Sequence, residues 1–243
     1  MADDDWEPPS IAVLDTETTG LDVEHDHIVT AFLGVLDSAG RVCSRMNWLV
    51  NVGVHMPAAA QAVHGLSDAD TMRGKLPTQA VREIVTCLQD LVDAEYPIVV
   101  YNAPYDLTLL HREADRYLDL GRHVEDMYVE ATILDPLVID KALDPFRAGS
   151  RNLATTAGHY GLDIPETGLH SAEADAVLAG RLMLALWRGP HVRGFTAGHL
   201  HERQITHARR QAGSFRDYLH SETRHQEALA VRETWPYHPI GAR

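Results

Sequence analysis

The sequence predicts an α/β protein, a mixed five-stranded sheet with helices on its faces, followed by a C-terminal helical extension. Three observations carry that prediction. Two β-like runs, residues 28–37 and 41–50, are joined by Ser38-Ala39-Gly40, which is hairpin chemistry. Beyond them, short apolar runs alternate with stretches of helical period, as in strands linked through helices. Composition also changes near residue 189. Residues 1–188 carry 13 basic and 30 acidic side chains, whereas residues 189–243 carry 8 and 5, and seven of the fifteen histidines. At about 150 residues per domain, a chain of 243 has room for one domain and an appendage, divided here as 9–188 and 189–243.

Each element has its own signal. Residues 10–15, Ser-Ile-Ala-Val-Leu-Asp, read as a short buried strand that precedes the hairpin. Pro77 opens a helix in which Val81, Ile84, Val85, Leu88, Leu91 and Val92 recur at spacings of three and four. Pro97 to Tyr101 is an apolar strand. Pro104 begins the next helix, with Leu107, Leu110 and Leu118 as core positions, since proline suits a first helical turn. A strand is expected at Ala131–Leu134, with Pro136 starting the helix after it. Residues 151–160 read as a helix stopped at Gly161, and 171–187 as a helix capped by Ser171. In the extension, Leu200, Ile205, Ala208, Ala212, Phe215 and Leu219 keep a helical period across 198–220, with Trp235-Pro236 tucked in after it.

Composition excludes several classes. Hydrophobic residues make up 45% and charged residues 23%, which is ordinary for a globular chain. No apolar run approaches the about 20 residues of a membrane span. The opening Met1-Ala2-Asp3-Asp4-Asp5 is acidic, unlike a secretory signal. Cys43 and Cys87 stand far apart, so neither a disulfide framework nor a zinc ribbon is expected, and a cytoplasmic protein is. A net charge of -14 disfavours a protein that coats nucleic acid through a basic face. It leaves room for an enzyme that grips one strand end.

Carboxylates carry the chemistry. The first strand ends in Asp15-Thr16-Glu17-Thr18-Thr19-Gly20, and positions i and i+2 of extended chain share a face. Asp15 and Glu17 therefore sit side by side, where like charges raise each other's pKa until a cation relieves them. Oxygen-only ligands suit Mg²⁺ or Mn²⁺. Asp106, within Tyr101-Asn102-Ala103-Pro104-Tyr105-Asp106, falls in the first turn of a helix, as a dipole-stabilising acid or as a further metal ligand. His170 precedes a helix and Asp175 lies within it. An imidazole there can take a proton from water near neutrality.

These three elements, in this order, resemble the DEDD exonucleases of the RNase H-like fold. They look like the subgroup with a histidine base, typified by the epsilon proofreading subunit of bacterial DNA polymerase III. Asp15 and Glu17 match the first motif, Asp106 the second, and His170 and Asp175 the third, in the form His-x-x-x-x-Asp. The resemblance covers about residues 9–188 and extends to Val63-His64-Gly65-Leu66 and Ser150-Arg151-Asn152-Leu153. It implies hydrolysis of phosphodiesters at 3′ ends with release of 5′-mononucleotides, using two divalent cations, Mg²⁺ or Mn²⁺, about 3.5–4 Å apart. Asp15 would bridge both cations, Glu17 and Asp175 complete one site, Asp106 serve the other, and His170 act as base. Thr18, Gly20, His64, Asn102 and Tyr105 would contact the terminal nucleotide. The implied partner is single-stranded DNA or a frayed 3′ end, in proofreading or repair, with a DNA polymerase as an associated protein. Three alternatives stay open: an RNA-trimming enzyme, a polymerase-attached binding subunit, and an extension whose Arg203, Arg209, Arg210 and Arg216 touch nucleic acid. Oligomeric state is not legible.

Overall fold

The structure, a computed structural model, describes residues 8–164 and 171–241. Strand β1 (Ile11–Thr18) opens with four fully buried residues, Ile-Ala-Val-Leu, suited to a strand covered on both faces. β2 (Ile28–Leu36) and β3 (Val42–Leu49) form the expected hairpin, and Gly40 supplies the positive φ that its turn requires. Two short helices, α1 (Ala58–His64) and α2 (Asp68–Thr71), occupy a stretch in which the sequence suggested no element. α3 (Pro77–Asp93) follows, burying Val81, Ile84, Val85 and Leu88. Then come β4 (Ile98–Val99), α4 (Ala103–Leu118), α5 (Gly121–Glu130), β5 (Ile133–Leu134), α6 (Pro136–Leu143), α7 (Leu153–His159) and α8 (Ala172–Arg188). The chain ends with α9 (Ala197–Ser221) and α10 (His225–Ala230).

The five strands lie in the order β3-β2-β1-β4-β5. β1 pairs antiparallel with β2 and parallel with β4, and β4 pairs parallel with β5, so the sheet is mixed as expected. The period of two along β1 sorts its side chains between two cores. Ala12 and Leu14 join the core built with α3, α4 and α5, whereas Ile11 and Val13 join the core built with α8. Gly180 lets α8 lie close on β1. A Cβ there would come within 2.5 Å of methyl groups of both Leu36 and Val13.

Further details differ from the sequence expectation, among them α5, which the sequence did not suggest, and a strand at 131–134 that shortens to Ile133–Leu134. β1 runs on to Thr18, so Asp15 and Glu17 lie inside the strand rather than where the chain leaves it. Its ladder with β2 continues through both residues, at Asp15–Phe32 and Glu17–Thr30. The strand expected over 97–101 shortens to Ile98–Val99. In α9 the buried residues are Leu200, Gln204 and Leu219, while Ile205 and Phe215 face outward. Leu200 packs with the α8-side core, and Trp235 and Tyr237 pack with the α4-side core. The segment after α8 thus wraps the β5 edge. No described helix is long and apolar enough to cross a membrane.

Candidate metal centre and active site

The alternation that sorts the core also builds the site. Asp15 and Glu17 continue the register of Ile11 and Val13 and so face α8, whose first turn carries Asp175. Carboxylate oxygens of Asp15, Glu17 and Asp175 all lie within 4.8 Å of one another. Thr16, one residue out of phase, faces α4. There its backbone N–H (3.0 Å) and hydroxyl (2.6 Å) both donate to Oδ1 of Asp106, which is almost fully buried. One strand therefore presents two acids to one helix and anchors a third acid on another.

Like charges crowd this site. Burial pushes the Asp15 carboxyl well above its ordinary value, and the neighbouring carboxylates of Asp106, Asp175 and Glu17 push it further. Glu17 is raised to about 7 by burial, then by Asp175 and Asp106. Asp106 is also raised to about 7, chiefly by burial, despite the hydrogen bonds from Thr16 that favour its ionised form. An oxygen-only cluster held together against its own repulsion fits a hard divalent cation such as Mg²⁺ or Mn²⁺.

A cavity of about 560 Å³ opens beside Glu17, lined among others by Thr18, Gly20, Leu21, His64 and Tyr105. Its floor is fixed by a compact knot. The Tyr105 hydroxyl donates to the Gly20 carbonyl (2.5 Å) and lies 2.6 Å from the Thr18 hydroxyl, which also reaches Gly20 O (2.7 Å). Asp26 holds the loop above by accepting from the Thr19 hydroxyl and the Asp22 N–H. His64 Nδ1 accepts from the Leu66 N–H, leaving Nε2 as the protonated nitrogen. Asn102 stands outside this cavity and lines an adjoining depression that shares Leu21 and Tyr105. His170, the expected base, lies outside the described residues.

Two supporting residues escaped the sequence reading. Asp135 is buried, and its carboxylate accepts from the N–H groups of Asn102 (3.0 Å), Ala103 (3.0 Å) and Leu137 (2.9 Å), capping α4 and α6 at once. Its place before Pro136 was a readable N-cap signal, since proline favours the first helical position. Thr16 carried no signal of its own beyond its register in β1.

A family model described as Exonuclease (RNase_T) matches residues 12–183. The chain belongs to this family. The matched segment contains Asp15, Glu17, Asp106 and Asp175. A DNA polymerase III subunit epsilon-like protein of Rhodobacter capsulatus is 30% identical over 77% of this chain and 25% of its own length. DNA polymerase III subunit epsilon of Rickettsia prowazekii is 27% identical over 73% of each chain. E. coli Exonuclease I, solved with a dA16 oligonucleotide, shares the fold at a TM-score of 0.61 and 16% identity, over 83% of this chain and 44% of that one. The chain thus spans only a quarter of the Rhodobacter protein and less than half of Exonuclease I.

Proposed function

We propose that this protein is a 3′-5′ exonuclease that removes 5′-mononucleotides from DNA 3′ ends, in proofreading or repair. The observation that carries this reading is the cluster of Asp15, Glu17 and Asp175, whose carboxylate oxygens lie within 4.8 Å of one another in the segment matched by the exonuclease family, with Asp15 and Glu17 raised in proton affinity. Four acids would repel a phosphodiester unless cations were bound among them. Bound Mg²⁺ or Mn²⁺ would supply Lewis-acid polarisation of the phosphoryl group and a more acidic water.

Each residue then has a part. Asp15, Glu17 and Asp175 would hold a cation, and Asp106 would serve a further one with Asp15. His170 takes the proton of the attacking water, whose oxygen bonds to phosphorus as the P–O3′ bond breaks and the departing oxygen gains a proton. The Tyr105–Thr18–Gly20 knot and His64 seat the terminal nucleotide in the adjoining cavity, and Asn102 meets the strand just outside it. The DNA polymerase III relatives favour DNA and a polymerase partner, and Exonuclease I with its bound oligonucleotide favours a single strand.

The test is a paired digestion. DNA and RNA of one sequence, labelled at the 5′ end, are incubated with Mg²⁺ or Mn²⁺, beside Asp15→Ala protein and an EDTA control. A DNA ladder shortening from the 3′ end, absent in both controls, is the expected result. A ladder on RNA alone would move the protein to RNA trimming. No ladder on either strand would overturn the catalytic reading.

A further inference from the structure

The C-terminal extension reaches the catalytic end of the sheet through a chain of hydrogen bonds between buried groups. β5 is an edge strand and leaves backbone groups unpaired on its outer side. α9 supplies their partners with side chains instead of a sixth strand. His201 Nδ1 accepts from the Ile133 N–H at 3.0 Å. Gln204, 1% exposed, turns its amide so that Nε2 donates to Ile133 O (3.3 Å) and Oε1 accepts from the Asp135 N–H (2.6 Å).

Asp135 passes that constraint on. Its carboxylate holds the N–H groups of Asn102 and Ala103, the entry to α4. Asn102 there adopts a left-handed conformation, φ 60 and ψ 48, with no side-chain cap for the helix it precedes. Few residues other than glycine adopt that region, asparagine among them, and the conformation is kept where its surroundings hold it. The surroundings are the Asp135 carboxylate, held in turn through its own backbone by Gln204. One turn further on are Tyr105, which floors the cavity, and Asp106, which meets Thr16.

We propose that Gln204 is a positioning residue for the nuclease site. It fixes the backbone of Asp135, which fixes the first turn of α4, and thereby the side chains of Asp106 and Tyr105. The C-terminal extension is on this account a working part of the active site. The inference rests on the exonuclease reading for its catalytic consequence, but its structural link can be measured without any substrate.

The test compares two variants of the full chain. Gln204→Met keeps the volume of the side chain and removes all three amide hydrogen bonds, to Asp135 N–H, Ile133 O and Leu200 O within its own helix. Leu219→Ala loosens the same helix by packing alone, since Leu219 is 1% exposed and makes no contact with Asp135 through hydrogen bonds. In metal-free protein, amide hydrogen exchange at Asn102 and Ala103 should accelerate by about tenfold or more in Gln204→Met. In Leu219→Ala it should change only as much as exchange elsewhere in α4. On a DNA strand with Mn²⁺, Gln204→Met should lower kcat by about ten- to a hundredfold, the range for residues that orient a metal ligand through another group. Leu219→Ala should keep kcat at temperatures where it stays folded. Unaltered exchange at Asn102 and Ala103 in Gln204→Met would overturn the proposal, as would an equal loss of kcat in both variants. If wild-type protein cuts no nucleic acid while the exchange difference holds, the exonuclease reading fails and the structural link stands.

Discussion

Two groups of charged side chains sit on the same molecule and differ in what surrounds their carboxylates. Asp140, fully buried on α6, is met by Arg147, by Arg151 (2.7 Å) and by the Tyr160 hydroxyl (3.0 Å). Asp15, on β1, is met by Glu17, Asp106 and Asp175, all of its own sign. The first arrangement is closed: both carboxylate oxygens are matched by donors, as a structural ion pair requires. The second suits a ligand, because one divalent cation can relieve three crowded carboxylates together. An acid surrounded by donors marks architecture, and an acid surrounded by acids marks chemistry.

The largest effect should come from neutralising the open cluster. Asp15→Asn is expected to lower DNA-hydrolysing kcat roughly a thousandfold, about 4 kcal/mol of barrier. It should also raise the melting temperature of the metal-free protein, because one of the repelling charges is gone. A metal-free melting scan beside a digestion series checks both, and a drop in metal-free stability would contradict the contrast with Asp140. The reverse pattern is expected at the closed cluster. Asp140→Asn leaves Arg147 and Arg151 buried without their counter-ion and should cost about 3–5 kcal/mol by denaturant titration. Its kcat per folded molecule should change little.

A smaller effect belongs to the packing that brings α8 to β1. Gly180→Ala would press its new methyl against Leu36 and Val13, and overpacking of this kind costs about 1–3 kcal/mol. The displaced helix carries Asp175, so Mn²⁺ affinity should fall along with stability. Calorimetric titration of the variant reads this directly, and unchanged affinity would mean that α8 relaxes without moving Asp175.

The smallest expected effect is the pH dependence of stability without metal. Glu17 and Asp106 hold their protons up to about 7 when folded, against ordinary values of 4.5 and 3.8. Between those limits the folded protein binds more protons than the unfolded chain, so stability falls as pH rises and levels off above about 7. Metal-free melting temperatures should therefore decline between about pH 5 and pH 7 and respond less in Asp15→Asn, where one repelling neighbour is removed.

The open cluster was largely legible in the sequence, and the closed one was not. Asp15 and Glu17 were readable because a strand places i and i+2 on one face, and Asp175 through the resemblance of its His-x-x-x-x-Asp motif to that of the exonucleases. The hairpin, the alternating strands and helices, and the start of α9 were readable for similar local reasons. What escaped were relations between distant segments. Thr16 holds Asp106 across 90 residues of sequence, and Gln204 reaches Asp135 across 69. Neither leaves a periodic or spacing signal. The buried stripe of α9 was misread in part because Gln204 is polar and buried, while Ile205 and Phe215 are apolar and exposed. Hydrophobic periodicity cannot find a glutamine that is buried to satisfy a sheet edge.

The most direct measurement is a calorimetric titration of Mn²⁺ into the metal-free wild-type protein and Asp15→Asn, at about pH 6 and about pH 8, in buffers of different ionisation enthalpy. A cation entering carboxylates that titrate near neutrality must displace protons. The wild type should bind more tightly at the higher pH, release protons at the lower one, and lose most of its affinity with Asp15→Asn. Equal affinity at both pH values without proton release, or undiminished binding by Asp15→Asn, would contradict the account.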